Sequence, residues 1–145
     1  MNKAISIDPG ISKSGLIIAD IEQKTVFRAE VIQSDYLLSY VEKINQNEHK
    51  LQCLIGNGTS SKKYISRLSE FIPDLIVVEE KNSTYRAKQR YFESFPLSGL
   101  KRFLPREIFI LNKNLDALAA LIIMEDYYNF KFKLGKEISI KTWLK

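Results

Sequence analysis

The amino-acid sequence predicts an α/β fold built on a mixed, five-stranded sheet. Three observations predict it. Residues 4–32 hold three apolar, β-branched runs separated by short turns. From residue 33 onward, helical periodicities alternate with short apolar runs. The stretch Leu115–Met124 is apolar on nearly every side, as in a helix that must be buried. A hairpin sheet followed by alternating strands and helices requires crossover connections. The first three strands should therefore be antiparallel and the later ones parallel, flanked by helices.

Ala4–Asp8 and Gly15–Asp20 read as strands joined by a Pro/Gly/Ser loop. Lys24–Ile32 alternates and is rich in β-branched and aromatic residues, so it reads as a third strand after a tight turn at Gln23–Lys24. Gln33–Lys50 spaces Tyr36, Leu37, Tyr40, Val41 and Ile44 as one helical face. Gln52–Ile55 is a short strand, and Ser60–Phe71 an amphipathic helix. Leu75–Val78 is a continuous apolar strand that ends in Glu79-Glu80. Ser83–Phe92 is a helix broken by Phe95-Pro96, Leu97–Leu104 supplies a helical turn or two, and Glu107–Leu111 is strand-like. Leu115–Tyr128 is the long apolar helix. Residues 131–145 carry no pattern that assigns them. With no repeat, linker or low-complexity stretch, residues 1–145 read as a single domain with a core over about residues 3–130.

The chain has 145 residues, 45% of them hydrophobic and 27% charged, which is a globular balance. Its one cysteine, Cys53, cannot form an intrachain disulfide, which suits a reducing cytoplasm. No signal-peptide pattern precedes the first strand, and the apolar run at Leu115–Met124 is too short for a bilayer. The net charge of +5 is unevenly spread. From Lys81 to Lys113 eight basic residues face two acidic ones, for a local charge of +6, and the remainder of the chain is −1. Such a concentration attracts a polyanion, most commonly nucleic acid; a solvated basic face is the plain alternative.

Four carboxylates draw attention. Asp8 ends the first strand ahead of a Pro-Gly loop, and Glu79 and Glu80 end the later apolar strand. α/β sheets place ligands at such carboxyl ends. Successive strand residues face opposite ways, so only one of Glu79 and Glu80 can reach a shared site. Asp116 opens the apolar helix, where a charge needs compensation. Singly, each has an ordinary reading as a turn residue, a first-turn acid after an Asn114 cap, or a solvated strand end. Together they form an all-oxygen set. The one histidine, His49, lies in a polar stretch, and Cys53 lies in a strand. Oxygen-only ligands select Mg2+ or Mn2+ over zinc. Two such ions roughly 3.5–4 Å apart suffice for phosphodiester hydrolysis without a general-base histidine.

The run Ile7-Asp8-Pro9-Gly10-Ile11-Ser12-Lys13-Ser14-Gly15 resembles the opening strand–loop–strand of RuvC-type resolvases and YqgF proteins. Ile55-Gly56-Asn57-Gly58-Thr59 is similar to the glycine loop of the YqgF group. Glu79-Glu80-Lys81-Asn82-Ser83-Thr84, with Ala87, resembles that group's D-E-R-x-S/T-T-x-x-A stretch. Asp116-Ala117-Leu118-Ala119-Ala120 resembles its last helix. The matches run in order from residue 4 to residue 128. The resemblance implies an RNase H-like fold and a divalent-metal endonuclease acting on structured nucleic acid, either rRNA precursors or Holliday junctions. It implies Asp8 as bridging ligand, Glu79 as strand-end acid and Asp116 as helix acid. Glu80 matches the second acid and carries less weight. Three departures stand out: Glu79 where the family has Asp, Lys81 in place of arginine, and Lys113 where RuvC proteins carry a further acid. The last favours the YqgF side. Junction-cutting members act as dimers, so a homodimer is implied for that substrate.

Lys81, Arg86, Lys88 and Arg90 follow the strand-end acids, with Arg86 and Arg90 on one helical face. Lys101 and Arg102 extend the track, and Lys13 and Ser14 lie in the first loop. These would hold a phosphate backbone without reading bases. Phe92 reads as core, whereas Tyr85 reads equally as core or as a stacking surface. Two further functions fit parts of the pattern. The D-x-G-x-x-x-x-G loop also opens actin-like kinases, but these close two such domains on a nucleotide. A nucleic-acid-binding module with a decayed site is the other.

Overall fold

The computed structural model describes residues 2–48, 50–106, 115–136, 138 and 141–143. The expected strand Glu107–Leu111, the Asn114 cap, Lys113 and His49 lie outside the described residues.

Three antiparallel strands open the chain: β1 (Lys3–Asp8), β2 (Lys13–Asp20) and β3 (Thr25–Gln33). Residues 21–24 turn between the last two, with Lys24 at φ 51° and Asp20 Oδ1 accepting the Gln23 amide at 2.9 Å. β4 (Gln52–Gly56) then pairs parallel to β1, and β5 (Ile76–Val78) parallel to β4. The residues expected to be a tail also join the sheet. β6 (Lys133–Leu134) and β7 (Lys141–Trp143) both run parallel to β3, at its two ends. The order is β5-β4-β1-β2-β3-β6, with β7 also on β3. The mixed α/β architecture is the expected one, but seven described strands replace the five anticipated. The two extra strands are two and three residues long, too short to show an alternation in sequence.

Among the described residues, four helices flank the sheet: α1 (Leu37–Asn47), α2 (Lys62–Ser69), α3 (Ser83–Ser94) and α4 (Asp116–Tyr128). Short 3-10 turns precede α1 at Ser34–Tyr36 and follow α3 at Gly99–Phe103. Strand parity decides which side chains meet which helices. Ile5, Ile7, Leu16, Ile18 and Ile55 pack with Val41 and Ile44 of α1 and Tyr64 and Leu68 of α2. Ala4, Ile17, Ala19 and Leu54 face the other way and pack on α4. Small residues on β1 let α4 come close, and Ser6 Oγ donates to the Ala120 carbonyl at 2.7 Å.

α4 is buried continuously from Ala117 to Glu125. The sheet covers one side of it, while Ala87 of α3 and Phe132 cover others. Glu125 is the one charge inside this buried stretch, and Arg90 of α3 meets it. The Arg90 Nη2 donates to Glu125 Oε1 at 2.9 Å and to the Phe132 carbonyl at 2.7 Å, and the Phe132 amide donates to Glu125 Oε1 at 3.0 Å. The two side chains are only 11% and 8% exposed. One turn earlier, Arg86 makes a two-pronged pair with Asp126 at 2.6 and 2.7 Å, nearer to solvent.

Removing one partner of a buried pair leaves the other charge stranded, whereas a solvated pair contributes little. Arg90→Ala should therefore lower unfolding stability by about 3–5 kcal/mol, and Arg86→Ala by about 1 kcal/mol or less. Urea midpoints of the two variants check this; equal losses would contradict the burial difference.

Candidate active site

β1, β4 and β5 are parallel, so their carboxyl ends share one edge of the sheet. Asp8 is the last residue of β1 and has the parity of Ala4 and Ser6, which places it on the α4 face. Glu80 follows β5 with the parity of Ile76 and Val78, both of which pack on the α4 cluster. Between them runs β4, whose last residue is Gly56, paired with Val78. A Cβ at Gly56 would overlap Glu80 Oε1, and one at Gly58 would stand 2.6 Å from Glu80 Oε2. The missing side chains thus open a lane through which Glu80 reaches across β4 toward Asp8.

A backbone strap fixes that reach. Asn57 Oδ1 accepts the Glu80 amide at 2.9 Å, and the Asn57 amide donates to the Val78 carbonyl at 3.0 Å. The Gly58 carbonyl accepts both the amide and the hydroxyl of Ser61, which ties the loop to the start of α2. On the other side of β1, Asp8 pairs with Gly15 of β2. A Cβ at Gly15 would overlap the Asp116 carbonyl. The first turn of α4 therefore lies directly on the strand beside Asp8 and brings Asp116 into its electrostatic range.

The electrostatics follow from this crowding. The Asp8 carboxyl is pushed from 3.8 up to about 8, by burial first, then by its hydrogen bond and charge contact with Glu80, then by the charge of Asp116. Glu80 Oε1 is buried and meets no hydrogen-bond donor. Two like charges at one position require a shared proton or a cation between them.

The structure thus brings together Asp8, Glu80 and Asp116. It does not bring Glu79 to them. The Glu79 side chain is 71% exposed and lies 3.9 Å from Lys81 Nζ. Among the described residues, no three acidic, histidine or cysteine side chains are close enough to form a closed ligand cage. What fits a hard cation is the Asp8–Glu80 pair, with an all-oxygen donor set, an orphaned buried oxygen and a glycine cradle, and with Asp116 alongside.

The candidate backbone contacts divide. Lys13, Lys81, Lys88, Lys101 and Arg102 are exposed. Ser14 is fully buried, its hydroxyl bonded to Ser34 Oγ at 2.7 Å and to the Gly10 amide at 3.1 Å, so it shapes the β1–β2 loop instead of facing a ligand. Arg90 is buried against Glu125, and Arg86 is paired with Asp126. Both arginines were expected on a binding face; α4 supplies the acids that turn them inward. Phe92 is core, as expected, and Tyr85 is exposed. Gly15, Gly56, Asn57 and Gly58 act on the site without having been singled out as site residues. A glycine at a strand's carboxyl end, beside a strand that ends in acids, was the available signal.

No protein-family model and no curated protein matches the chain. Among solved structures, the Thermus thermophilus RuvC structure is similar over 88% of this chain and 94% of that one, with 14% identity and a TM-score of 0.48. Among the described residues no helix is long and apolar enough to cross a membrane.

The raised Asp8 pKa has a stability consequence with a definite sign. Folding holds the Asp8 proton more tightly than the unfolded chain does. In chelator, that contribution is complete below about pH 4 and is lost as pH rises through about 8. Asp8→Asn removes the slope. At about pH 9 it should be the more stable protein, by on the order of 2 kcal/mol, and added Mg2+ should stabilise the wild type but not the variant. Urea titrations at acid and alkaline pH, with and without Mg2+, check both signs.

Proposed function

We propose that this chain is a divalent-metal-dependent endonuclease that hydrolyses phosphodiester bonds in structured nucleic acid. The single observation that carries the reading is the half-buried Asp8–Glu80 carboxyl pair beside Asp116 at the carboxyl edge of the parallel strands. The strand order and the motifs around these acids support an RNase H-like assignment of the RuvC and YqgF kind, with residues 1–145 as one domain acting in the cytoplasm. The substrate is a structured RNA precursor or a branched DNA of the Holliday-junction type, and a homodimer would serve the latter.

In this reading Asp8 and Glu80 hold Mg2+ or Mn2+, with Asp116 as a further acid, and Glu79 lies outside the ligand set. A pair of such ions supplies an activated water and neutralises the phosphate. The chain's own residues do the rest. Asn57 holds Glu80 in its lane through the backbone amide. The close seat of α4 on Gly15 keeps Asp116 against β2, where that strand pairs with Asp8. The exposed Lys13, Lys81 and Lys88 raise the local concentration of phosphate backbone and carry no base-reading contact. Ser12, just before Lys13 opens β2, belongs to a loop whose shape is fixed by Ser34, which accepts and donates on both sides of it.

Cleavage of a labelled four-way DNA junction and a structured precursor RNA, with Mn2+ or Mg2+, tests the reading. Asp8→Asn and Glu80→Gln should each lower the rate by at least about 100-fold, while Glu79→Gln leaves it within about threefold of wild type. Loss of cutting in Glu79→Gln with full activity in Glu80→Gln would reverse the ligand assignment. Metal-independent binding with no cutting of either substrate would establish a nucleic-acid-binding module in place of an enzyme.

A further inference from the structure

Beyond α3 the chain presents a surface that the carboxylate site does not use. Gly99, at φ 62°, opens the 3-10 turn Gly99–Phe103, and open space surrounds the position its side chain would take. In a 3-10 helix, residues three apart lie one above the other. Leu100 and Phe103 are so spaced, and they are 85% and 82% exposed. Large apolar side chains this bare, aligned on one ridge, carry a cost in water unless something covers them. Basic residues lie among them: Lys101, Arg102 and Arg106 are all exposed. Beside the ridge lies a pocket of about 200 Å3 lined by Phe92, Pro96, Leu97, Arg102 and Arg106. The Arg106 guanidinium stands 5.2 Å from the Phe92 ring centre, which holds it at the pocket wall.

We propose that this turn is a second nucleic-acid contact, one that takes unpaired nucleotides: a phosphate between Arg102 and Arg106, and a base laid against Phe103 and Leu100. The inference rests on the nucleic-acid reading given above and deepens it from a backbone-holding site to one that selects substrates with unpaired bases. Two features choose this occupant. An aromatic face next to cations is the pairing that single-stranded nucleic acid needs, since every base has a face to stack and every nucleotide a phosphate to neutralise. A second copy of this chain would bring three more cations against the same three, which opposes self-association through the ridge. The turn also makes the expected contribution of Lys101 and Arg102 more specific. They act with an apolar ridge and not as an extension of a uniform basic track.

The test uses the full chain carrying Asp8→Asn, so that binding is read without cleavage. The probes are a fully paired duplex and the same duplex with an unpaired arm that carries 2-aminopurine. Tighter binding to the armed probe and quenching of the 2-aminopurine are expected. Phe103→Ala should abolish the quenching and reduce armed-probe binding on the order of tenfold, leaving duplex binding unchanged. Arg102→Ala with Arg106→Ala should flatten the salt dependence of armed-probe binding. No binding to either probe would overturn the nucleic-acid reading itself. Binding with the quench and the preference intact in Phe103→Ala would overturn this inference alone. A sedimentation shift from dimer to monomer in Phe103→Ala would assign the ridge to self-association and overturn it as well.

Discussion

The structure depends on the burial of α4. From Ala117 to Glu125 this helix has no side that tolerates water. An amphipathic helix can lie on one face of a sheet and stop there, but this one must be covered all round. The sheet covers it closely where its own side chains on that face are small. Ala4 and Ser6 of β1, Gly15 of β2 and Gly56 of β4 are such positions. α3 and Phe132 close the remaining sides. Each fully buried leucine or isoleucine contributes roughly 1.5–3 kcal/mol, so Leu118, Leu121, Ile122 and Ile123 together outweigh any single polar contact in the molecule.

The candidate site is a consequence of that same packing. The glycines that admit α4 also remove the side chains that would separate Asp8, Glu80 and Asp116. Gly15 is needed because the backbone of Asp116 sits where its Cβ would be. Gly56 serves twice, since both Glu80 and Ile123 of α4 press on it. The result is a cluster of like charges in a place chosen by apolar packing. Such a cluster destabilises the folded chain at neutral pH, as the raised Asp8 pKa expresses. The rest of the core has to carry that cost, and binding of a cation would remove it.

Much of this was legible in the sequence. The β1–β2–β3 meander, the alternation that follows and the buried last helix each had a clear periodicity. Asp8 and Asp116 were legible because a charge abuts an apolar run on one side and a loop on the other. The choice between Glu79 and Glu80 was not legible. Leu75–Val78 is apolar throughout, so the strand carries no alternation from which to read a facing direction. Only the pairing of Val78 with Gly56, and the packing of Ile76 and Val78 on the α4 cluster, fix the parity that turns Glu80 inward. β6 and β7 were missed because their pairing with β3 is a long-range event that two or three residues cannot announce.

The arginines show a different limit. Arg86 and Arg90 lie four apart on one face of α3, a spacing that is equally good for binding a polyanion or a neighbouring helix. The deciding facts are on another element. Glu125 and Asp126 near the carboxyl end of α4 present acids at the height of those two side chains. Once the arginines turn to α4, the basic segment loses its most central cations to internal pairing. Among the described residues of that segment, the exposed positive charge is then carried by Lys81, Lys88, Lys101, Arg102 and Arg106. The helix pairing that stabilises the core therefore also decides which cations of the segment face solvent.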